Sequence, residues 1–274
     1  MSNSTLWEKT FWTAPIDYIT STYIREYDIS KANINVLLSM GVIDQEQYNY
    51  FYGLDKKARE IMVGYLLKDH KKEKLGVKLL AAIKEYRKLF FEANDIQDYE
   101  VLAIKNDAVY LINKIANHTK FGNVEFVNKH SYTSFYKLDR KFNKEMYYKI
   151  DIPNNIEELK IDGLGDKAYR EHEPYMIDFL KAVFSTVETT GVEDAIAMTR
   201  QFSDDYINRR LDVGYYRRFD SISGYDSICH NTIGDIYNIN YLSQNDMRII
   251  DISYNYLIIM NLYRYFASMY FKKK

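Results

Sequence analysis

Two aspartates, Asp28 and Asp107, stand where acidic side chains can be held rigidly. Asp28 follows a β-rich run, Thr22 to Tyr27, and Asp107 lies in the Asn106-Asp107 dipeptide between two more, Val101 to Lys105 and Ala108 to Ile112. Carboxylates at the ends of neighbouring strands suit phosphoryl transfer by paired Mg²⁺ or Mn²⁺ ions about 3.5–4 Å apart, because strand ends hold geometry that loops do not. Such ions lower the pKa of an attacking hydroxyl and neutralise charge on the transferred phosphate, which leaves the protein mainly a positioning role. A second constellation interleaves guanidinium groups with rings: Asn208, Arg209, Arg210, then Tyr215, Tyr216, Arg217, Arg218 and Phe219. That mixture can contact phosphates and stack bases of a single strand. It also describes a helix end whose arginines face water while the tyrosines pack inside.

The elements that must position these residues are legible in outline. After the strand at Thr22 to Tyr27, apolar residues at Ile29, Ala32, Val36 and Leu37 mark one face of a helix, and Gly41 closes it. Asp44 opens another helix, and Lys56 to Leu67 and Lys74 to Phe91 follow as two more. Asn106-Asp107 fits a tight type I′ hairpin turn, and a second hairpin pairs Ser131 to Leu138 with Met146 to Ile150. Pro153-Asn-Asn and Gly163-Leu-Gly165 mark a boundary, after which Pro174 to Glu188, Val192 to Leu211 and a run from Ser243 to Tyr270 read as helices. The fold class is therefore α+β: residues 1–152 form a domain around a small antiparallel sheet with packed helices, and residues 153–274 form a mainly helical domain.

Within the first domain three segments resemble a known family. Asp28-Ile-Ser30-Lys-Ala-Asn33-Ile34-Asn-Val36-Leu37 resembles motif A of the family A DNA polymerases and the related single-subunit RNA polymerases. Lys57-Ala58-Arg59-Glu60-Ile61-Met62-Val63-Gly64-Tyr65 is similar to their motif B, with Val63 in place of the aromatic. Ile104-Lys-Asn106-Asp107-Ala108-Val109-Tyr110 resembles motif C, with Asn106 in place of the His and Ala108 in place of the second acidic residue. The three stand in the family's order. The resemblance implies a palm-like sheet, with Asp28 and Asp107 as metal ligands, the Ile29 carbonyl as a further ligand, Arg59 as a clamp on the incoming triphosphate and Lys56 as its assistant. Asn33 takes the place of a sugar-selecting Glu. The short gap from motif B to motif C leaves little room for full fingers.

Each residue also has an ordinary local reading. Asp28 or Ser30 before a periodic run is what a helix N-cap looks like, Asn106-Asp107 is a common turn, and Arg59 on a charged helix is commonly solvated. Composition removes several other classes. With 37 Lys and Arg against 38 Asp and Glu the chain is no polycation, so a nucleic-acid site must be a local patch. One cysteine, Cys229, excludes disulfides within the chain and Cys-based zinc sites, and fits a reducing compartment. Met1 to Thr10 lacks the order of a secretory signal, and the apolar run at Tyr256 to Met260 is far shorter than the ~20 residues of a membrane span. The five histidines lack helical zinc spacing, and Ser221 and Ser223 near His230 have no glycine elbow. Two readings stand: a Mg²⁺-dependent nucleotidyltransferase of polymerase type, acting on a nucleoside triphosphate and nucleic acid, or an inactive palm-derived protein that binds nucleic acid or serves phage structure or assembly. Either belongs in the cytoplasm, the host's if the source is viral, and either leaves room for a partner subunit.

Overall fold

The computed structural model describes residues 4–16, 18–20, 22–70, 74–139, 144–151, 156–162, 173–208, 210–211, 217–219 and 226–228, with further helical residues within 259–270. Gly163, Gly165 and Ser243 lie outside the described residues. The chain forms two compact units, one of residues 1–16 and 22–133, the other of residues 17–21 and 134–274.

The first unit is a six-stranded antiparallel sheet covered by helices. Its strands are β1 (Phe11–Thr13), β3 (Ile24–Ile29), β4 (Val101–Lys105), β5 (Ala108–Ile112), β6 (Lys120–Phe121) and β7 (Val124–Tyr132), while β2 (Tyr18–Ile19) belongs to the second unit. The order across the sheet is β1-β4-β5-β3-β7-β6. Among the described residues four α-helices lie between β3 and β4: α1 (Ala32–Ser39), α2 (Gln45–Gly53), α3 (Lys56–Asp69) and α4 (Leu75–Ala93). Sequence chemistry sets their ends. Gly41 takes φ +68° after α1, the left-handed geometry that needs no Cβ. Asp44 and Gln47 form a reciprocal capping box on α2, and Asp55 accepts from the Ala58 N–H to cap α3.

Alternation along β3 does the sorting that places the site. Tyr27 and Ile29 enter the core with Phe90, Phe91 and Phe126, where Phe90 stacks on Phe126 at 4.2 Å between ring centres. Glu26 and Asp28 therefore turn to the other face of the sheet. The Tyr27 hydroxyl stays satisfied inside by accepting from the Ala116 N–H at 2.9 Å.

The second unit carries a four-stranded antiparallel sheet in the order β10-β9-β8-β2, with β8 (Ser134–Asp139), β9 (Lys144–Asp151) and β10 (Ile156–Asp162). The long helices α5 (Glu173–Thr189) and α6 (Val192–Ile207) bury Leu180, Val183, Phe184, Ala195 and Phe202 in a separate core with Ile259, Leu262 and Phe266. A short β11 (Arg217–Phe219) pairs with β12 (Asp226–Ile228). The protein is thus α+β, an antiparallel sheet with packed helices followed by a mainly helical C-terminal part. The division between the units falls at Thr133 and Ser134, not at 152 and 153. The cause is strand pairing: β8 pairs with β9 and β9 with β10, so the residues before Pro153 are committed to the second sheet.

Candidate active site

A cleft of about 750 Å³ in the first unit collects residues from the end of β3, the start of α1, the faces of α3 and α4, the β4–β5 tip and β7. Asp28, Ile29, Asn33, Lys56, Arg59 and Asp107 all line it, together with Lys31 and Lys129. Residues far apart in the chain are thus brought into one cavity.

Sheet register explains why the two carboxyl groups meet. β5 pairs antiparallel with β3 with Tyr27 opposite Val109. The pairing ends there, one residue before Asp28 on β3 and two residues after Asp107, so both acids come to the same end of the ladder. Asp28 does not cap α1, whose N-cap is Lys31 with no side-chain hydrogen bond. Asp107 likewise departs from the expected turn. Asn106 takes φ +55° but Asp107 is not among the positive-φ residues, and type I′ needs both. The turn's strain is therefore carried by Asn106, a residue that tolerates the left-handed region, and Asp107 keeps ordinary backbone geometry.

The electrostatics follow from this meeting. The Asp107 carboxyl is pushed up from 3.8 to about 6, first by burial and then by the charge of Asp28, to which it also hydrogen-bonds when protonated. Two acids in one half-buried site resist joint ionisation unless a cation comes between them. The cation in place is Lys129, whose Nζ lies 2.8 Å from Asp28 Oδ2. Its own pKa is raised, mainly by the hydrogen bond to Asp28. Lys129 is the residue skipped where the β3–β7 register slips: Glu26 faces His130 and Tyr27 faces Asn128. A bulge of this kind re-aims a side chain at a strand edge, and here it accompanies the lysine's reach to the acid.

The surroundings fix the floor and supply charge at the mouth. Asn35 donates to the Ser30 carbonyl and accepts from the Tyr48 hydroxyl at 2.8 Å, bracing the turn that follows Asp28. Ser30 N–H donates to the Glu125 carbonyl and continues the ladder past it. Arg59, half-buried, donates to the Leu54 carbonyl at 3.3 Å. Lys56 is 81% exposed and only loosely paired with Glu60 at 4.0 Å, so its charge is available to a ligand. Asn33 is exposed at the cleft, and Leu79, Leu80 and Ile83 of α4 give it an apolar wall.

The arginine–tyrosine stretch stands differently. Arg209, Tyr215 and Tyr216 lie outside the described residues, and of Arg217 and Arg218 only the backbone of β11 is described. Arg210 follows the end of α6, where its N–H donates to the Asp205 carbonyl and its guanidinium reaches the Asp205 carboxylate at 3.4 Å. That is the helix-end arrangement. Sequence reasoning missed Lys129 and Lys31. The signal for Lys129 was weak, since its strand reads Val-Asn-Lys-His-Ser, a polar run with no clean alternation. Among the described residues no group of three or more His, Cys, Asp or Glu gathers as a metal cluster.

The model of one protein family, described as bacteriophage PBS1 gene 130 protein, matches residues 1–268. The chain belongs to the bacteriophage PBS1 gene 130 protein family. Membership in the gene 130 family supports a phage origin. No curated protein matches the chain. Among the described residues of this gene 130 family protein, no helix is long and apolar enough to cross a membrane.

Proposed function

We propose that this protein is a polymerase-type nucleotidyltransferase: a nucleic-acid hydroxyl attacks the α-phosphorus of a nucleoside triphosphate by two-metal phosphoryl transfer, forming a phosphodiester as pyrophosphate leaves. The observation that carries the reading is the convergence of Asp28 and Asp107 in one cleft with Arg59 and Lys56. The donor chemistry fits the metal: Mg²⁺ takes oxygen ligands and commonly binds through one or two carboxylates, with substrate phosphates and water completing its shell. Asp28 and Asp107 would hold it with the Ile29 carbonyl, and the burial and the Asp28 charge that together raise Asp107 are what a divalent ion would offset. When bound, Mg²⁺ or Mn²⁺ supplies activation of the attacking hydroxyl and screening of the transferred phosphate. The chain's own residues do the rest. Arg59 and Lys56, on the first two turns of α3, would grip the triphosphate, with Arg59 exchanging the Leu54 carbonyl for phosphate oxygens. Asn33 would meet the sugar at the open side, and the Leu79, Leu80 and Ile83 wall would exclude water behind the base. The setting proposed with this chemistry is the host cytoplasm, with a partner subunit supplying fingers and thumb.

One observation favours a second reading. The Lys129–Asp28 ion pair at 2.8 Å gives the acid a permanent counter-ion, as suits an inactive protein that binds nucleic acid or serves as a structural or assembly subunit. Incorporation of labelled nucleotide on a primed template with Mn²⁺ separates the two. The first reading expects activity in the wild type and none in Asp28→Asn or Asp107→Asn. Salt-sensitive nucleic-acid binding without incorporation, untouched by either substitution, supports the second.

A further inference from the structure

Arg87 lies on α4 one turn after Ile83, a residue of the cleft wall, and is 0% exposed. One of its nitrogens, Nη1, donates to the Lys9 carbonyl, while Nε and Nη2 have no hydrogen-bond partner among the described residues. Buried donors left this way are costly, more so when charged, and a methionine would fill the same space without that cost. Retention of a guanidinium therefore calls for something that its charge or its reach accomplishes. Two backbone contacts say where. Thr10, the residue after Lys9, accepts with its carbonyl from the Asn106 N–H at 2.8 Å, and Phe11 stands opposite Lys105 in the β1–β4 pair. The segment that Arg87 grips is thus the one that holds the hairpin tip carrying Asp107. The charge is felt there as well: burial lowers the Arg87 pKa to about 10, and Asp107 pulls it back up.

We infer that Arg87 is a positioning residue for the acidic pair, tying the Asn106-Asp107 tip to α4 through Lys9 and Thr10 from behind the cleft. The inference rests on the two-metal reading of Asp28 and Asp107, because a tip held to this degree matters for a ligand that needs both carboxylates in register. Arg87 touches no substrate in this scheme. It completes a rigid frame in which Asp28 is braced by Asn35 through Ser30, and Asp107 by Arg87 through β1.

The test is Mn²⁺ binding to the full chain, measured by calorimetry with Mn²⁺ alone, for wild type, Arg87→Met, Arg87→Gln, Arg87→Lys, Asp107→Asn and the Arg87→Met, Asp107→Asn pair. Charge acting at a distance predicts that losing a cation tightens Mn²⁺ binding. Positioning predicts the opposite sign: Arg87→Met weakens it by about tenfold or more, Arg87→Lys restores most of the loss, and Arg87→Met adds nothing once Asp107 is Asn. Hydrogen exchange supplies a readout independent of metal, with the Asn106 amide losing protection in Arg87→Met while Val109 and Leu111 change only as global stability does. Arg87→Gln ends two bonds short of Nη1 and so loses the Lys9 carbonyl while staying polar; it takes the place of Arg87→Met if that variant does not fold, with the same sign expected for Mn²⁺. Binding as tight as or tighter than wild type in Arg87→Met or Arg87→Gln overturns the inference, as do multiplicative losses with Asp107→Asn. Absence of Mn²⁺ binding in the wild type overturns the two-metal reading itself, and with it this inference; normal wild-type binding with an indifferent Arg87 overturns the inference alone.

Discussion

Replacing Asp107 by Asn is expected to stabilise the protein at neutral pH. The folded environment raises the Asp107 pKa from 3.8 to about 6, so the ionised form is disfavoured in the folded state relative to the unfolded one. The sign follows from linkage. A carboxyl with a raised folded pKa contributes its stability below the unfolded pKa, and that contribution is lost as pH rises through about 6. A shift of this size is worth at most about 3 kcal/mol above pH 7, and roughly 1–3 kcal/mol once solvent screening in an open cleft is counted. Asn keeps the shape and removes the charge, so the variant escapes the loss. The assay is urea unfolding at pH 4.5 and pH 7.5, followed by the fluorescence of Trp7 and Trp12, both packed against the core of the first unit. The Asn variant should exceed wild type by that margin at pH 7.5 and by about a third of it at pH 4.5, where the carboxyl is already largely ionised in the unfolded chain but not in the folded one. An Asp107→Asn protein that is less stable than wild type at pH 7.5, or whose advantage does not change with pH, refutes the placement of the two acids.

Further expectations follow from single contacts. Lys129→Met removes the ammonium that competes for Asp28, so Mn²⁺ should bind more tightly while the melting temperature falls little, because a half-exposed pair is worth about 1 kcal/mol or less. Arg59→Ala should weaken binding of a fluorescent nucleoside triphosphate by about tenfold or more without lowering stability comparably, and Lys56→Ala should do so to a smaller extent, since charge-assisted hydrogen bonds contribute about 1.5–3 kcal/mol. Equal nucleotide affinity in Arg59→Ala and wild type contradicts the triphosphate role. Tyr27→Phe leaves the buried Ala116 N–H without its acceptor and should cost roughly 1–3 kcal/mol in urea unfolding, with Mn²⁺ affinity unchanged.

What could be read from sequence was governed by local signals. The β4–β5 runs were bounded by a turn dipeptide and rich in β-branched residues, so both strands emerge where the pattern puts them. Helices α2 and α3 begin at Asp44 and Asp55, where a side chain closes the first turn on itself. The parts that stayed hidden depend on long-range pairing. β7 has alternation only in its first residues, and its role as the neighbour of β3 is written in no local motif, so neither the strand nor the bulge that carries Lys129 was visible. Arg87 carries no local signal that sets it apart within its helix, and only the tertiary structure shows it buried with its guanidinium on the Lys9 carbonyl. The unit boundary was displaced toward Pro153 because turn residues mark where a chain bends, whereas the division follows the strands that pair across it. Both aspartates were legible by type and spacing, yet their mutual repulsion arises only from the β3–β5 register.

Whether Asp28 and Asp107 grip the same divalent cations is read from Mn²⁺ binding followed by electron paramagnetic resonance. Wild type should bind Mn²⁺, Asp28→Asn and Asp107→Asn should each weaken binding by more than about tenfold, and the double substitution should be little worse than either alone. Single variants that bind Mn²⁺ as wild type does, or losses that multiply as they would at independent sites, contradict a shared site.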